Sequence, residues 1–362
     1  MKKCITALLL LFTLSVTSLL ACTSADKPES ATGKTSKTSK SINDKKTDLT
    51  PVTLNEVAHS IFYAPMYVAI EKNYFEKEGI DLSLVTGFGA DKTMTAVLSG
   101  TADIGFMGSE ASIYTYNEGA RDYVVNFAQL TQRAGNFLVA REDIKNFKWE
   151  DLKGRKVIGG RKGGMPEMVF EYILKQNHID PASDLTIDQN IDFGSTAAAF
   201  AEEKADYDFT VEFEPGATNL EKQEKGYVVA SLGTDSGYVP YTAFSAKKSY
   251  ISQHPEIIQG FTNALQKGMN YVASHTPEEI AQVIAPQFKE TTPDTITTIV
   301  SRYYEQDTWK KDLIFRQESF DLLQDILEDA GELKKRAPYK NLVTTIYAEK
   351  SAKTIKDTTI SH

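Results

Sequence analysis

The stretch His59-Ser60-Ile61-Phe62-Tyr63 sets an imidazole, a hydroxyl and two adjoining aromatic rings side by side. Rings in such a pair either sandwich a flat solute, at ~0.5–1.5 kcal/mol per pair beyond area burial, or pack beneath the helix that follows. Gly87-Phe88-Gly89-Ala90-Asp91 lets backbone N–H groups approach an acceptor at a helix N-terminus. In Met107-Gly108-Ser109-Glu110, a hydroxyl and a carboxylate either face a ligand or cap the next helix. Arg161-Lys162-Gly163-Gly164-Met165-Pro166 brings cations and glycines just ahead of a proline that suits a helix start. In Val211-Glu212-Phe213-Glu214-Pro215 the two glutamates stand two apart, so a strand would turn them to one face. At least one is expected to reach a ligand, the alternative being an ion pair with Arg161 or Lys162. Together with Tyr241, these groups suit non-covalent capture of a small solute rather than bond making.

Two chemistries compete for that solute. A sulfonate or nitrate asks for converging N–H groups, hydroxyls and a guanidinium, which the glycines, Ser60, Ser109 and Arg161 could supply. A neutral or cationic heteroaromatic asks for rings and for carboxylates that accept from an exocyclic amine, which Phe62, Tyr63, Tyr241, Glu110, Glu212 and Glu214 could supply. The glutamates oppose an anion, so the heteroaromatic is the expectation.

Covalent and metal chemistry find little support. Cys4 and Cys22 are the only cysteines, so the body has no thiolate nucleophile, disulfide or cysteine-held metal. No G-x-S-x-G elbow occurs. His59, His178, His254, His275 and His362 are scattered without H-x-H, H-x-x-H or H-E-x-x-H spacing. The sequence therefore predicts no enzyme, no cofactor and no metal site. With 40 basic against 49 acidic side chains the charge is −9, and losing Lys2 and Lys3 with a leader gives 38 − 49 = −11. That balance argues against nucleic acid as a partner.

The elements that must position these groups begin with an address. Lys2-Lys3 precede an uncharged apolar run from Ile5 to Leu20, shorter than the ~20 residues of a bilayer span. Residues 1–21 read as a signal peptide, and Leu19-Leu20-Ala21-Cys22 matches the bacterial lipobox; a plain secretory signal or an uncleaved anchor is the alternative. Lipidation at Cys22 would hold the chain at the outer face of the cell membrane. Residues 22–50, rich in Ser, Thr, Lys and Asp, read as a flexible tether.

Beyond the tether, strand-like Val52–Val57, a helix marked by Tyr67, Ile70 and Phe75, and strand-like Ile80–Val85 form a β-loop-α-β unit, hence a parallel sheet. Lys92–Leu98, the turn Gly100–Asp103 and Ile104–Met107 extend it. Gly194–Ala201 followed by Lys204–Phe209 echoes that glycine, small-residue helix, Ala-Asp turn and apolar strand. The echo fits two lobes built alike, or else two units in one larger sheet. From Pro255 the pattern turns helical, with apolar marks at Ile258, Phe261 and Leu265, at Ile280 and Ile284, at Ile296 and Val300, and at Phe320 and Leu323. These helices are expected to complete the first lobe and brace the cleft.

Three passages carry a resemblance: Phe62-Tyr63-Ala64-Pro65-Met66-Tyr67 running on to Gly79-Ile80-Asp81, Leu98-Ser99-Gly100-Thr101-Ala102-Asp103-Ile104-Gly105, and Lys153-Gly154-Arg155-Lys156-Val157-Ile158-Gly159-Gly160. From about Val52 to Phe288 the chain resembles solute-binding proteins of ABC importers, of the ThiY/SsuA type, which take up thiamine pyrimidine precursors, alkanesulfonates and related solutes. The resemblance implies an α/β chain of the periplasmic-binding-protein type II fold, two lobes joined by two crossing segments with a ligand cleft between them and extra C-terminal helices. Lobe 1 would hold residues 51–138 and 240–350, lobe 2 residues 139–239, and 351–362 a tail, with crossings near Phe137–Val139 and Val239–Tyr241. It further implies a monomer that closes on a small solute, best matched by a thiamine-type aminopyrimidine, and hands it to an ABC permease and its ATPase. Alkanesulfonate, taurine or nitrate is the alternative solute; a metal-binding or adhesin lipoprotein is the alternative role. The resemblance extends to fungal-type pyrimidine synthases, but their cysteine-rich iron-binding motif has no counterpart after Cys22.

Overall fold

The computed structural model describes residues 49–192 and 194–355; the leader, Cys22, the tether as far as residue 48 and residues 356–362 lie outside the described residues. The first half of the chain runs β1 (Thr50–Glu56), α1 (Ala64–Glu71), β2 (Ile80–Thr86), α2 (Ala90–Ser99), β3 (Ile104–Gly108), α3 (Glu110–Asn117) and β4 (Val124–Gln129). It continues through β5 (Asn136–Ala140), β6 (Lys156–Ile158), α4 (Met165–Gln176), β7 (Thr186–Asp188), α5 (Thr196–Ala201), β8 (Phe209–Phe213), α6 (Gly216–Lys222) and β9 (Tyr227–Ser231). β10 (Thr242–Lys247) is followed by α7 (Pro255–Ser274), α8 (Pro277–Ile284), α9 (Pro293–Glu305), α10 (Gln317–Asp329) and α11 (Ile346–Thr354).

Two five-stranded sheets result, in the orders β2-β1-β3-β10-β4 and β7-β6-β8-β5-β9. In each, three parallel strands lie beside one antiparallel strand that has just arrived from the other sheet: β10 between β3 and β4, β5 between β8 and β9. The orders are the same when β6 to β9 are laid over β1 to β4, so α5 and β8 hold the places of α2 and β3. That is the structural form of the echo between residues 89–107 and 194–209, and two α/β lobes account for it. The parallel strands are covered by helices, which is why β3, with every residue buried, reads as an unbroken apolar run.

The chain passes between the sheets at 130–135 and 232–241. Phe137–Val139 lie just past the first passage, inside β5. The first passage meets the second where the latter enters β10: Leu130 N–H donates to the Thr242 carbonyl (3.2 Å), and Thr242 N–H donates to Thr131 Oγ1 (3.0 Å).

The C-terminal helices form where Thr276 and Thr292 cap starts that already carry proline. α7 buries Ile258, Phe261, Leu265 and Met269 on one stripe, and Phe261 meets Phe244 of the first sheet. The later helices do more than complete the first lobe. Arg302 of α9 bonds Glu214 (2.8 Å) and Glu221 (2.6 Å) on the second-sheet side, and Tyr303 OH donates to the Gly135 carbonyl in the first passage (3.0 Å). α10 lies against both α3 and α4. Tail residues 351–354 belong to α11. Among the described residues no helix is long and apolar enough to cross a membrane.

Candidate functional site

At the carboxyl ends of the parallel strands, where the two sheets face each other, lies a cavity of about 520 Å³. The first-sheet wall is built from strand exits. Tyr63 follows β1, Gly89-Ala90-Asp91 start α2, and Gly108, Glu110 and Tyr114 lead from β3 into α3. The opposite wall is the loop 161–164 with the first turn of α4, Met165-Pro166, and Phe213 at the end of β8; Tyr241 of the second passage and Thr242 at the start of β10 form the back.

The inner end of this cavity is apolar and aromatic with one acid in it. Tyr63, Tyr241 and Met165 are buried, and so is Glu110, at 2% exposure. Gly108 makes that burial possible, because the Glu110 carboxyl folds back over the Gly108 Cα, where any side chain would collide with it. Glu110 Oε2 has no hydrogen-bond partner among the described residues. Burial pushes the carboxyl up to about 8, although backbone N–H groups at Glu110 and Met165 pull the other way. At neutral pH it is therefore mostly a neutral acid, able to donate one hydrogen bond and accept another.

The outer end is charged. Arg161 reaches Asp91 across the cavity at 3.4 Å, Lys162 reaches Glu332 at 3.8 Å, and Tyr114 OH donates to the Gly163 carbonyl at 3.0 Å. The 161–164 loop is fixed from behind by Glu167, which accepts from Gly163 N–H (3.1 Å) and from Gln189 Nε2 (2.6 Å). With Glu110 mostly neutral, Asp91, Glu118 and Glu332 stand against Arg161 and Lys162, an excess of one acid.

Of the residues singled out in the sequence, Tyr63, Gly89, Ala90, Asp91, Glu110, Arg161, Gly164, Met165 and Tyr241 meet at this cavity. Five others do not. Phe62 is fully buried beside the rings of Tyr63, Phe213, Tyr241 and Tyr303, at 5.2–5.7 Å, and lies against Gly135, so it is core and not a stacking surface for solute. His59 turns away to Glu56 (2.8 Å) and the Gln287 carbonyl (2.9 Å). Burial works against its charge, but the bonds to Glu56 and to the Gln287 carbonyl and the Glu56 charge together outweigh it, and its pKa is raised. Ser109 neither faces the cavity nor caps α3; its hydroxyl donates to the Pro240 carbonyl (3.1 Å).

The glutamate pair needs the largest correction. Glu212 accepts from Thr210 (2.6 Å) and Thr196 (2.9 Å), and burial pushes it up to about 7. Glu214 lies past the end of β8 and accepts from Arg302 and from Thr218 Oγ1 (2.8 Å each) and from Thr218 N–H (2.9 Å). Neither lines the cavity, and neither pairs with Arg161 or Lys162. The glycine N–H groups are also engaged, Gly87 with Glu56 O (2.8 Å) and Gly89 with Val57 O (3.0 Å). Phe213, in the Glu212–Pro215 run, does line the cavity, whereas sequence reading missed Tyr114, Glu118 and Glu332. Tyr114 and Glu118 were findable at four and eight residues from Glu110 on one helix; Glu332 carries no local signal. Among the described residues no group of three or more His, Cys, Asp or Glu could hold a metal.

The model for proteins described as NMT1/THI5 like matches residues 61–280. The chain belongs to the NMT1/THI5-like family. YtlA of Bacillus subtilis (strain 168), named as a binding protein, is 47% identical over 302 residues, 83% of this chain and 90% of YtlA. The alkanesulfonate-binding protein SsuA of Xanthomonas axonopodis pv. citri superposes with a TM-score of 0.67 at 14% identity, covering 82% of this chain and 98% of SsuA. The nitrate-binding protein NrtA of Synechocystis PCC 6803 gives 0.66 at 15% identity, covering 85% and 90%. The NMT1/THI5-like chain thus has the fold of periplasmic binding proteins, two α/β lobes around a cleft.

Proposed function

We propose that this NMT1/THI5-like chain is the solute-binding lipoprotein of an ABC importer, anchored through Cys22 at the extracytoplasmic face of the cell membrane, and that its solute is a thiamine-type aminopyrimidine. One observation carries the choice of solute: a buried acid, Glu110, with an oxygen lacking a partner, at the inner end of a cavity lined by Tyr63, Tyr241 and Phe213. A carboxylic acid and an aminopyrimidine edge are complementary, since the acid O–H meets a ring nitrogen while the other oxygen accepts from the exocyclic amine. The rings cover the faces of the solute and the acid selects its edge. A sulfonate or nitrate would meet the acidic excess, and of the cations there Arg161 is already engaged with Asp91.

The test is a thermal-shift screen of the full chain against aminopyrimidines, thiamine, flavins, taurine and other sulfonates, nitrate and divalent metals. A solute at ~100 times its dissociation constant stabilises by ~2.7 kcal/mol, a shift of a few degrees. A shift confined to the pyrimidine class supports the proposal. A shift confined to sulfonates or nitrate overturns the solute and the role given to Glu110.

A further inference from the structure

Glu110, Tyr114 and Glu118 lie four residues apart along α3 and its cap, where Glu118 keeps helical dihedrals (φ −73, ψ −6) and donates its N–H to the Tyr114 carbonyl. That spacing puts all three on one face, and all three line the cavity. Eight residues at 1.5 Å each separate the two Cα atoms by about 12 Å along the helix axis. The cavity follows that line from a buried end at Glu110 to an open end at Glu118. At the ~30 Å³ that each water takes in the liquid, an aminopyrimidine of about nine heavy atoms fills no more than about 270 Å³. A ring seated at Glu110 therefore leaves part of the cavity unfilled, and Tyr114 and Glu118 line that cavity further along the helix.

The charges there are unequally engaged. Arg161 is held by Asp91, and Lys162 leans toward Glu332, whereas Glu118 has no ion-pair partner among the described residues. We infer that the outer end is a second subsite, that Glu118 is its specificity-determining residue, and that the solute is two-headed: an amine-bearing ring at Glu110 with a chain ending in a cationic group at Glu118. The inference rests on the aminopyrimidine reading of the inner end and adds the length and the charge of what the ring carries.

The test compares three probes on the full chain by titration calorimetry: a bare aminopyrimidine, the same ring with a butyl chain, and the same ring with an aminobutyl chain. The aminobutyl probe is expected to bind about three- to fivefold tighter than the butyl probe, with the difference shrinking as salt is raised. In Glu118→Gln that difference falls below about twofold. Amine and alkyl chains of equal affinity, or an amine gain that survives Glu118→Gln, overturn the second subsite while the bare ring still binds. Failure of every probe, the bare ring included, overturns the aminopyrimidine reading and this inference with it.

Discussion

Replacing Glu110 by Gln tests the inner end most directly, because it keeps the shape and removes the proton. With the carboxyl pushed up to about 8, the empty site carries one proton at pH 7. An aminopyrimidine that is neutral above about pH 6 shares that proton in the complex, so binding neither takes up nor releases one. Affinity is then flat from pH 6 to nearly 8. Above pH 8 the empty site has lost its proton and must recover it to bind, which costs 1.36 kcal/mol per pH unit and weakens binding tenfold per unit. Gln still offers an N–H and a carbonyl, but its bonds stay neutral, at about 0.5–1.5 kcal/mol each, whereas the proton shared between acid and ring gives the wild-type pair charge-assisted bonds of about 1.5–3 kcal/mol. The variant should therefore bind about five- to fifteenfold more weakly at pH 7, with no pH slope up to pH 9. Calorimetry in two buffers of different ionisation heat reads the proton count, which should be near zero at pH 7 and near one at pH 9 for the wild type. If wild-type affinity rises with pH, the partner is a permanent cation drawn to an ionised carboxylate. If Glu110→Gln leaves both the affinity and the slope in place, Glu110 does not touch the solute and the reasoning fails.

Phe62→Ala should lower unfolding free energy by about 3–5 kcal/mol, read by denaturant melts, with solute affinity of the remaining folded protein within a few-fold of wild type; a selective loss of affinity would return Phe62 to the binding surface. Arg302→Gln leaves the buried Glu214 carboxylate with Thr218 alone and should destabilise by about 3 kcal/mol, whereas Glu214→Gln should also act on stability and not on solute choice; a change in ligand preference from either would contradict their placement. Asp91→Asn removes a pair whose members are both about half exposed, so affinity should change less than about fivefold by titration, and a hundredfold loss would show Asp91 in direct contact with solute. Glu110 and Glu212 are both raised above 4.5, so the native state binds more protons than the unfolded chain between about pH 4.5 and 8. Solute-free stability should therefore be full below about pH 4.5 and fall as pH rises through that window, and Glu110→Gln should flatten part of the fall; a melting temperature that climbs from pH 5 to 8 would refute it.

Fold and site were legible to different degrees, for physical reasons. The alternation of apolar strands, glycine turns and small-residue helices is local, and it carried the two lobes: Ile80–Val85 and Ile104–Met107 became β2 and β3, and the Gly194–Phe209 echo became the matching unit of the second sheet. Strand exits were equally readable, because in a parallel sheet they point to the crevice, which is how Tyr63, Asp91, Glu110 and Arg161 were found. What could not be read is which way a side chain turns once its neighbours arrive. Phe62 and Tyr63 are adjacent, yet one is taken by Gly135, Phe213 and Tyr303 from distant parts of the chain. Glu332 enters the cavity wall only because α10 crosses to meet α3 and α4.

The glutamates show why satisfaction, and not residue type, separates site from scaffold. Glu110, Glu212 and Glu214 all have carboxylates buried within a short reach of the two passages, and the sequence offers all three as ligand contacts. Glu214 has a guanidinium and two donors from Thr218, and Glu212 has two threonine hydroxyls, so an incoming amine would have to displace bonds already made. Glu110 alone of the three keeps a buried oxygen without a partner, at a desolvation cost of about 1–3 kcal/mol that a fitting solute can recover. A solute bonded there closes the polar account of the inner end at the same time as its ring fills the space between the lobes. On the proposed reading, recognition and the meeting of the lobes would draw on the same groups, because Glu110 and Tyr63 on one wall and Met165 and Phe213 on the other line a single cavity.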